Sequence, residues 1–193
     1  MLSRKRNDLH AWGQERLGNV LEICSETNAD NKYGKNDVLS VSDEFGVVNQ
    51  IELQGRSFAA EDVSRYKKVR TGQIVYTRSP LASKPYGIIK IVEEYEGILS
   101  PLYIVNSPKH GIDSRFVYYY FDLTERTNNY LKPLVRMGAK HTMNISNEEW
   151  LSGNIMFPRY SEQKKISDCL AQLDSLLSLH QRKLEKLQQI KKA

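Results

Sequence analysis

Apolar residues come in short runs separated by polar stretches as far as residue 157, and from residue 158 the spacing changes to one long helical repeat. "LGNVLEI" (17–23) predicts a first strand or a turn followed by a strand, and the Asn-, Asp- and Gly-rich "CSETNADNKYGKND" (24–37) predicts a loop of the kind in which a scaffold varies its contacts. "VLSVSDEFGVVNQI" (38–51) reads as a hairpin around Asp43 to Gly46. "EDVSRYKKVRTGQIVYTR" (61–78) predicts a short helix, a turn at Thr71 and Gly72, and a strand. The proline-punctuated "SPLASKP" (79–85) separates that strand from "YGIIKIV", and "GILSPLYIV" (97–105) reads as another. A helix is predicted over 113–138, capped by Asp113 or Ser114 and ended by Gly138. Ser146 and Glu149 have capping-box spacing, so a short helix starts there before the strand-like "NIMF". The expected fold is α+β: a mixed, strand-rich domain over 1–157, then one long coiled-coil-type helix over 158–193.

In that last segment Ile166, Leu170, Leu173, Leu177, His180, Leu184, Leu187 and Lys191 alternate at spacings of four and three, which is a heptad seam. Six of these eight positions are apolar, and with Ser161 as N-cap the helix runs to about residue 190, roughly 45 Å. Leu176, Leu179 and Ile190 widen the apolar face. A helix this long overhangs a domain of this size, so its stripe is expected to meet another helix. The competing reading lays it along its own domain.

Composition narrows the class. The 193 residues are 40% hydrophobic with nearly balanced charges, which excludes disorder. No run of eighteen apolar residues occurs and no apolar stretch follows the basic N-terminus, so neither a membrane span nor a signal peptide is readable, and the expected location is cytoplasmic. Cys24 and Cys169 stand outside any C-x-x-C motif, which argues against a disulfide framework or a cysteine zinc site; Cys169 reads as a small buried apolar residue. The net charge of +5 suggests an anionic partner, with basic residues gathered at 66–70, 78–84, 132–141 and along the last helix.

Catalytic motifs are absent: there is no phosphate-binding loop, no dinucleotide turn and no nucleophile elbow. The four histidines are isolated, so no metal site is expected, and Glu93–Glu94 and Glu148–Glu149 are sequence neighbours unsuited to paired acid/base work. Nucleic-acid contacts fit better. Arg78, Ser79, Lys84 and Tyr86 bracket the proline loop, and Lys140, His141 and Asn144 follow a glycine; such side chains read base edges or hold phosphates. Tyr118, Tyr119 and Tyr120 lie between Phe116 and Phe121 in a helical pattern and read as core packing rather than a base-stacking platform.

The C-terminal stretch resembles the region that follows a target recognition domain in specificity subunits of type I restriction-modification enzymes. Pro158, Glu162, Gln163, Lys165, Ile166, Leu173, Asp174, Leu184, Leu187 and Lys191 stand in register with that pattern. "AWGQERLGNV", "VRTGQIVY", "YGIIK", "GILSPLYIV" and "MGAKHTMNIS" are similar to landmarks of the recognition domain, so the resemblance covers essentially the whole chain. It implies a non-catalytic subunit that reads one half of a bipartite site in double-stranded DNA, with helices that space two such domains. Adenine methylation from S-adenosylmethionine would belong to modification subunits. Cleavage and translocation, with ATP and Mg, would belong to a restriction subunit met indirectly, so no cofactor is expected on this chain.

Family members usually carry two recognition domains and two helical regions, and this sequence holds one of each. The resemblance thus implies a half-length form that restores its missing half as a homodimer, its helices pairing antiparallel through the seam with His180 near the middle, on a palindromic, gapped target. Pairing with a different half-subunit remains open. So do a coiled-coil adaptor, an inhibitor that binds modification subunits without reading DNA, and an enzyme lacking a linear motif.

Overall fold

The computed structural model describes residues 12–138 and 143–192. The chain enters through β1 (Gly13–Arg16), a single helical turn α1 (Leu17–Val20) and β2 (Leu21–Ile23), so of the two readings of "LGNVLEI" the turn followed by a strand is the one that forms. The hairpin forms as predicted, from β3 (Leu39–Ser42) and β4 (Gly46–Asn49), with Gly46 at φ +73° in its turn. Helix α2 (Gln50–Gln54) follows at once, because the Asn49 side chain accepts from the amides of Ile51 and Glu52. The helix predicted in "EDVSRY" does not form; turns there lead into β5 (Lys67–Val69).

β6 (Ile74–Tyr76) and β7 (Ile89–Ile91) flank the long loop 77–88. "GILSPLYIV" is not one strand but two, β8 (Gly97–Leu99) and β9 (Ile104–Pro108), bent at Ser100–Tyr103 where the Tyr103 amide bonds the Ser100 carbonyl. Pro101 supplies the fixed φ of a turn's second position. The helix predicted over 113–138 is broken into α3 (Ser114–Asp122) and α4 (Thr124–Leu131), and it ends ahead of Pro133 rather than at Gly138. Asp113 caps α3 by accepting from the Phe116 amide. A two-residue ladder, β10 (Arg136–Met137) with β11 (Met143–Asn144), precedes α5 (Asn147–Ser152), whose Ser146–Glu149 capping box forms as predicted. β12 (Asn154–Phe157) leads into α6 (Tyr160–Lys192).

β2, β9, β6 and β7 make a four-stranded antiparallel sheet, and β12 pairs with β1, which brings the chain's entry beside the base of α6. One face of the sheet meets α3, α4 and α5 through an aromatic core of Tyr76, Phe116, Phe121, Tyr130, Trp150 and Phe157. The pairing of β5 with β8 and the β3–β4 hairpin enclose a second cluster around Leu39, Val69, Val75 and Leu99. Phe116 and Phe121 are core residues, and the tyrosines between them are half-buried.

α6 begins one residue before its predicted cap, so Ser161 lies inside the first turn. What fixes its departure is Gln163, which is 2% exposed: its amide nitrogen donates to the Pro158 carbonyl at 2.9 Å and its oxygen accepts from the Asp113 amide at 2.9 Å. Glu162 accepts from Trp12 Nε1 at 3.0 Å. The helix then packs against α3 as far as Asp174, which accepts from the Tyr119 hydroxyl at 2.7 Å. Cys169 is exposed, not buried, because it faces away from α3 on this packed portion.

Candidate nucleic-acid interface

Loop 77–88 is built, not slack. Thr77 closes its base: its amide donates to the Ile88 carbonyl at 3.0 Å and its hydroxyl oxygen accepts from the Ile88 and Ser79 amides. Arg78 sits at φ +53°, a left-handed conformation rare for a side-chain-bearing residue. Gly87, at φ +93°, passes beneath it so closely that a Cβ would lie 3.0 Å from the Tyr76 ring and 3.2 Å from the Ser79 amide.

The Arg78 guanidinium is committed to the protein backbone. Its Nε donates to the Leu102 carbonyl at 2.7 Å, Nη2 donates to the same oxygen, and Nη1 donates to the Ile145 carbonyl at 3.2 Å. Ser79 is exposed, and the Tyr86 carbonyl accepts from the Tyr76 hydroxyl at 2.8 Å while its ring leans on the aromatic core. Asn144 is exposed in β11 opposite Arg136. Lys140 and His141 lie outside the described residues.

Lys84 is already paired. Its ammonium lies 2.7 Å from Asp43 Oδ1 in the hairpin turn and 3.6 Å from Asp122 Oδ1 at the end of α3, and the buried Lys90 reaches the same two oxygens at 3.5 and 3.1 Å. Burial acts to raise the Asp43 carboxyl, but the two ammonium groups outweigh it and hold it below the usual range. Glu44 and Glu93 border this quartet, so the face is not a basic one. Asp43→Asn leaves Lys90 with Asp122 alone and is expected to cost about 1–3 kcal/mol in a urea titration. Because the folded-state value is the lower one, Asp43's contribution is complete above about pH 4 and is lost as pH falls through the folded value; the variant should lack that acid-limb loss.

Single cations of the other sequence clusters are paired in the same way. Lys68 contacts Asp30 at 2.7 Å, Arg70 contacts Glu26 at 2.7 Å, and Arg136 pairs with Glu149. The seam residues divide in two. Ile166 and Leu170 are half-buried against the domain, whereas Leu173, Leu177, His180, Leu184 and Leu187 are exposed, Leu177 to 67%. With Leu176, Leu179 and Ile190 also exposed, the helix projects roughly 30 Å of apolar-faced surface beyond the domain. A continuous apolar patch of this kind marks an interaction surface. Among the described residues no group of three or more His, Cys, Asp or Glu could hold a metal ion, and no helix is long and apolar enough to cross a membrane.

The molecule is thus a strand-rich α+β domain carried on a long helix whose leucine seam is open. Residues 10–189 match the model of the type I restriction modification DNA specificity domain, and the chain belongs to that family. No curated protein sequence matches it. Among solved structures it is similar to the HsdS subunit from Thermoanaerobacter tengcongensis, at TM-score 0.53 and 15% identity over 91% of this chain and 40% of that one. The S subunit of a type I restriction-modification system from M. genitalium gives 0.54 and 15%, over 94% of this chain and 44% of that one. A chain from a structure of type I R-M complex assembly and conformational transition gives 0.59 and 14%, over 91% and 45%. These likenesses show the fold, and the chain spans less than half the length of each of those structures.

Proposed function

We infer that this chain is the sequence-reading component of a type I restriction-modification assembly, without catalytic groups of its own. Residues 1–157 read one half of a bipartite site in double-stranded DNA, and the helix over 158–193 serves as the dimerisation and docking arm. Methylation uses S-adenosylmethionine on modification subunits, and cleavage uses ATP and Mg on a restriction subunit that joins through them, all in the cytoplasm. The observation that carries this reading is the family match, which runs through both the domain and the helix.

The arm pairs with a second copy. In an antiparallel pair centred between Leu177 and His180, Leu173 faces Leu184 and Leu177 faces His180 of the partner, and the two domains stand at opposite ends. Two-fold symmetry then demands a palindromic target with a fixed gap. The test is to capture the chain with the modification subunits of its own system and sequence the DNA the complex methylates. A gapped palindrome with methylated adenines is the expected result. A non-palindromic motif points to a different second half, and no association removes the assignment.

Pairing of Lys84, Lys68, Arg70 and Arg136 with carboxylates favours one rival, an arm that docks on modification subunits while its domain reads nothing. Affinity for duplex DNA that falls steeply with salt separates the two, since only a phosphate-contacting surface releases counterions.

A further inference from the structure

The turn Ser100–Tyr103 carries two observations that no sequence motif announces. Its adjacent carbonyls are held by cations from two different sheets: Arg78, just past β6, donates to Leu102 O, and Lys67, at the start of β5, donates to Tyr103 O at 2.5 Å. Within the turn the Ser100 hydroxyl accepts from the Leu102 amide at 3.3 Å. The residue at the tip of this clamped turn, Leu102, is 70% exposed.

The clamp holds two cations and, among the described residues, no carboxylate. Lys68, Arg70, Lys84, Lys90 and Arg136 all lie against carboxylates, whereas among the described residues neither Lys67 nor Arg78 meets one. The two are close enough to feel each other: burial and then the field of Arg78 lower the Lys67 ammonium below its ordinary value. Two like charges, buried in part and left uncompensated, set a positive potential around a rigid apolar tip. A polyanion that also offers an apolar group at its reading edge matches both features. Duplex DNA does so through its phosphates and the 5-methyl group of thymine in the major groove.

We propose that the Ser100–Tyr103 turn is a DNA-contacting element in which Leu102 meets a thymine methyl while Arg78 and Lys67 act as positioning residues that hold the turn and draw in the phosphate backbone. This rests on the DNA-reading function above and assigns one of its specificity contacts. It also changes the part given to Arg78, whose guanidinium is spent on carbonyls and cannot read a base edge without letting the turn go.

The experiment compares wild type, Leu102→Ala, Arg78→Gln and Arg78→Lys, each as the full chain with the modification subunits of its system. The readouts are the methylated motif, the salt dependence of binding to that motif, and the melting midpoint. Leu102→Ala should melt like wild type, since the side chain is exposed, and lose about tenfold discrimination at one A·T position with an unchanged salt slope. Arg78→Gln should lower the salt slope by about one, and Arg78→Lys should restore it. A wild-type motif that Leu102→Ala leaves intact at every position overturns the proposal alone, as does a slope that does not respond to Arg78→Gln. A wild-type complex with no defined motif overturns the DNA-reading function and takes the proposal with it.

Discussion

In the proposed pairing of two copies, replacing Leu177 and Leu184 together with aspartate is expected to weaken self-association by about four orders of magnitude and leave a monomer. Neither side chain is used within the chain: Leu177 is 67% exposed and Leu184 is 50% exposed, so their apolar surface finds burial only against a partner. Four such side chains enter each antiparallel pair. Discounted for what the helix already covers, each contributes about 1.5 kcal/mol on burial, and aspartate in their place adds the cost of desolvating a charge. The domain's melting midpoint should not move, because both side chains are exposed and the hydrogen bond that ties α6 to α3 lies before them, at Asp174. Sedimentation of the wild type and the double variant at micromolar concentration is the check. A variant that keeps the wild-type mass would show that the seam is not the dimer contact, and a monomeric variant that still methylates a palindrome would show that self-pairing is not what sets the site.

That helix was the most legible part of the sequence, because its information is local: a heptad shows itself within one segment and needs no partner to be read. The same holds for the β3–β4 hairpin, for the Asp113 cap and for the Ser146–Glu149 box, each decided within a few residues. Where the structure departs from the sequence pattern, a longer-range or subtler factor decides. "GILSPLYIV" has the composition of one strand, but Pro101 and the Ser100 hydroxyl bend it, and its two halves pair with different neighbours, β8 with β5 and β9 with β6 and β2. Proline after serine was the available signal. The helix expected in "EDVSRY" lost to turns in which the Asp62 side chain accepts from the Ser64 amide, a local bond that competes with helix.

Charge was the least legible property of the candidate interface. The sequence shows where cations cluster but not which anions come to meet them. Lys84 is met by Asp43, and Arg70 by Glu26, each across more than forty residues of chain. Conversely, Lys67 and Arg78 belong to different clusters and converge only because β5 and β6 bring them to the same turn. A run of lysines and arginines therefore overstates the free positive surface. The fold neutralises part of it, at Lys68, Arg70, Lys84, Lys90 and Arg136 among others, and leaves Lys67 and Arg78 against backbone carbonyls instead.

The Trp150→Ala variant should not fold stably at 37 °C. Trp150 is fully buried in α5, stacked on Tyr76 at 4.8 Å between ring centres and set edge-on to Tyr130 at 5.5 Å. Its Nε1 donates at 2.9 Å to Asn106 Oδ1, on a side chain that is itself wholly buried and that donates to the Ile74 carbonyl at 3.1 Å. Truncation removes the ring contacts that tie α5 to the sheet, at about 3–5 kcal/mol, and strands the Asn106 oxygen, at about 1–3 kcal/mol more. That is comparable with the whole stability of an ordinary domain, about 5–15 kcal/mol. Trp150→Phe separates the two contributions: it keeps most of the packing and forfeits the hydrogen bond, so its urea midpoint should correspond to a loss of about 1–3 kcal/mol with near-UV dichroism preserved. If the alanine variant instead unfolds cooperatively within a few degrees of wild type, the aromatic core is not what joins the helices to the sheet. The phenylalanine variant also bears on function. Asn106 lies on β9, the strand that leaves the Ser100–Tyr103 turn, so a folded chain with that bond missing should bind its DNA site less tightly while its salt slope stays that of wild type, because no cation has been touched.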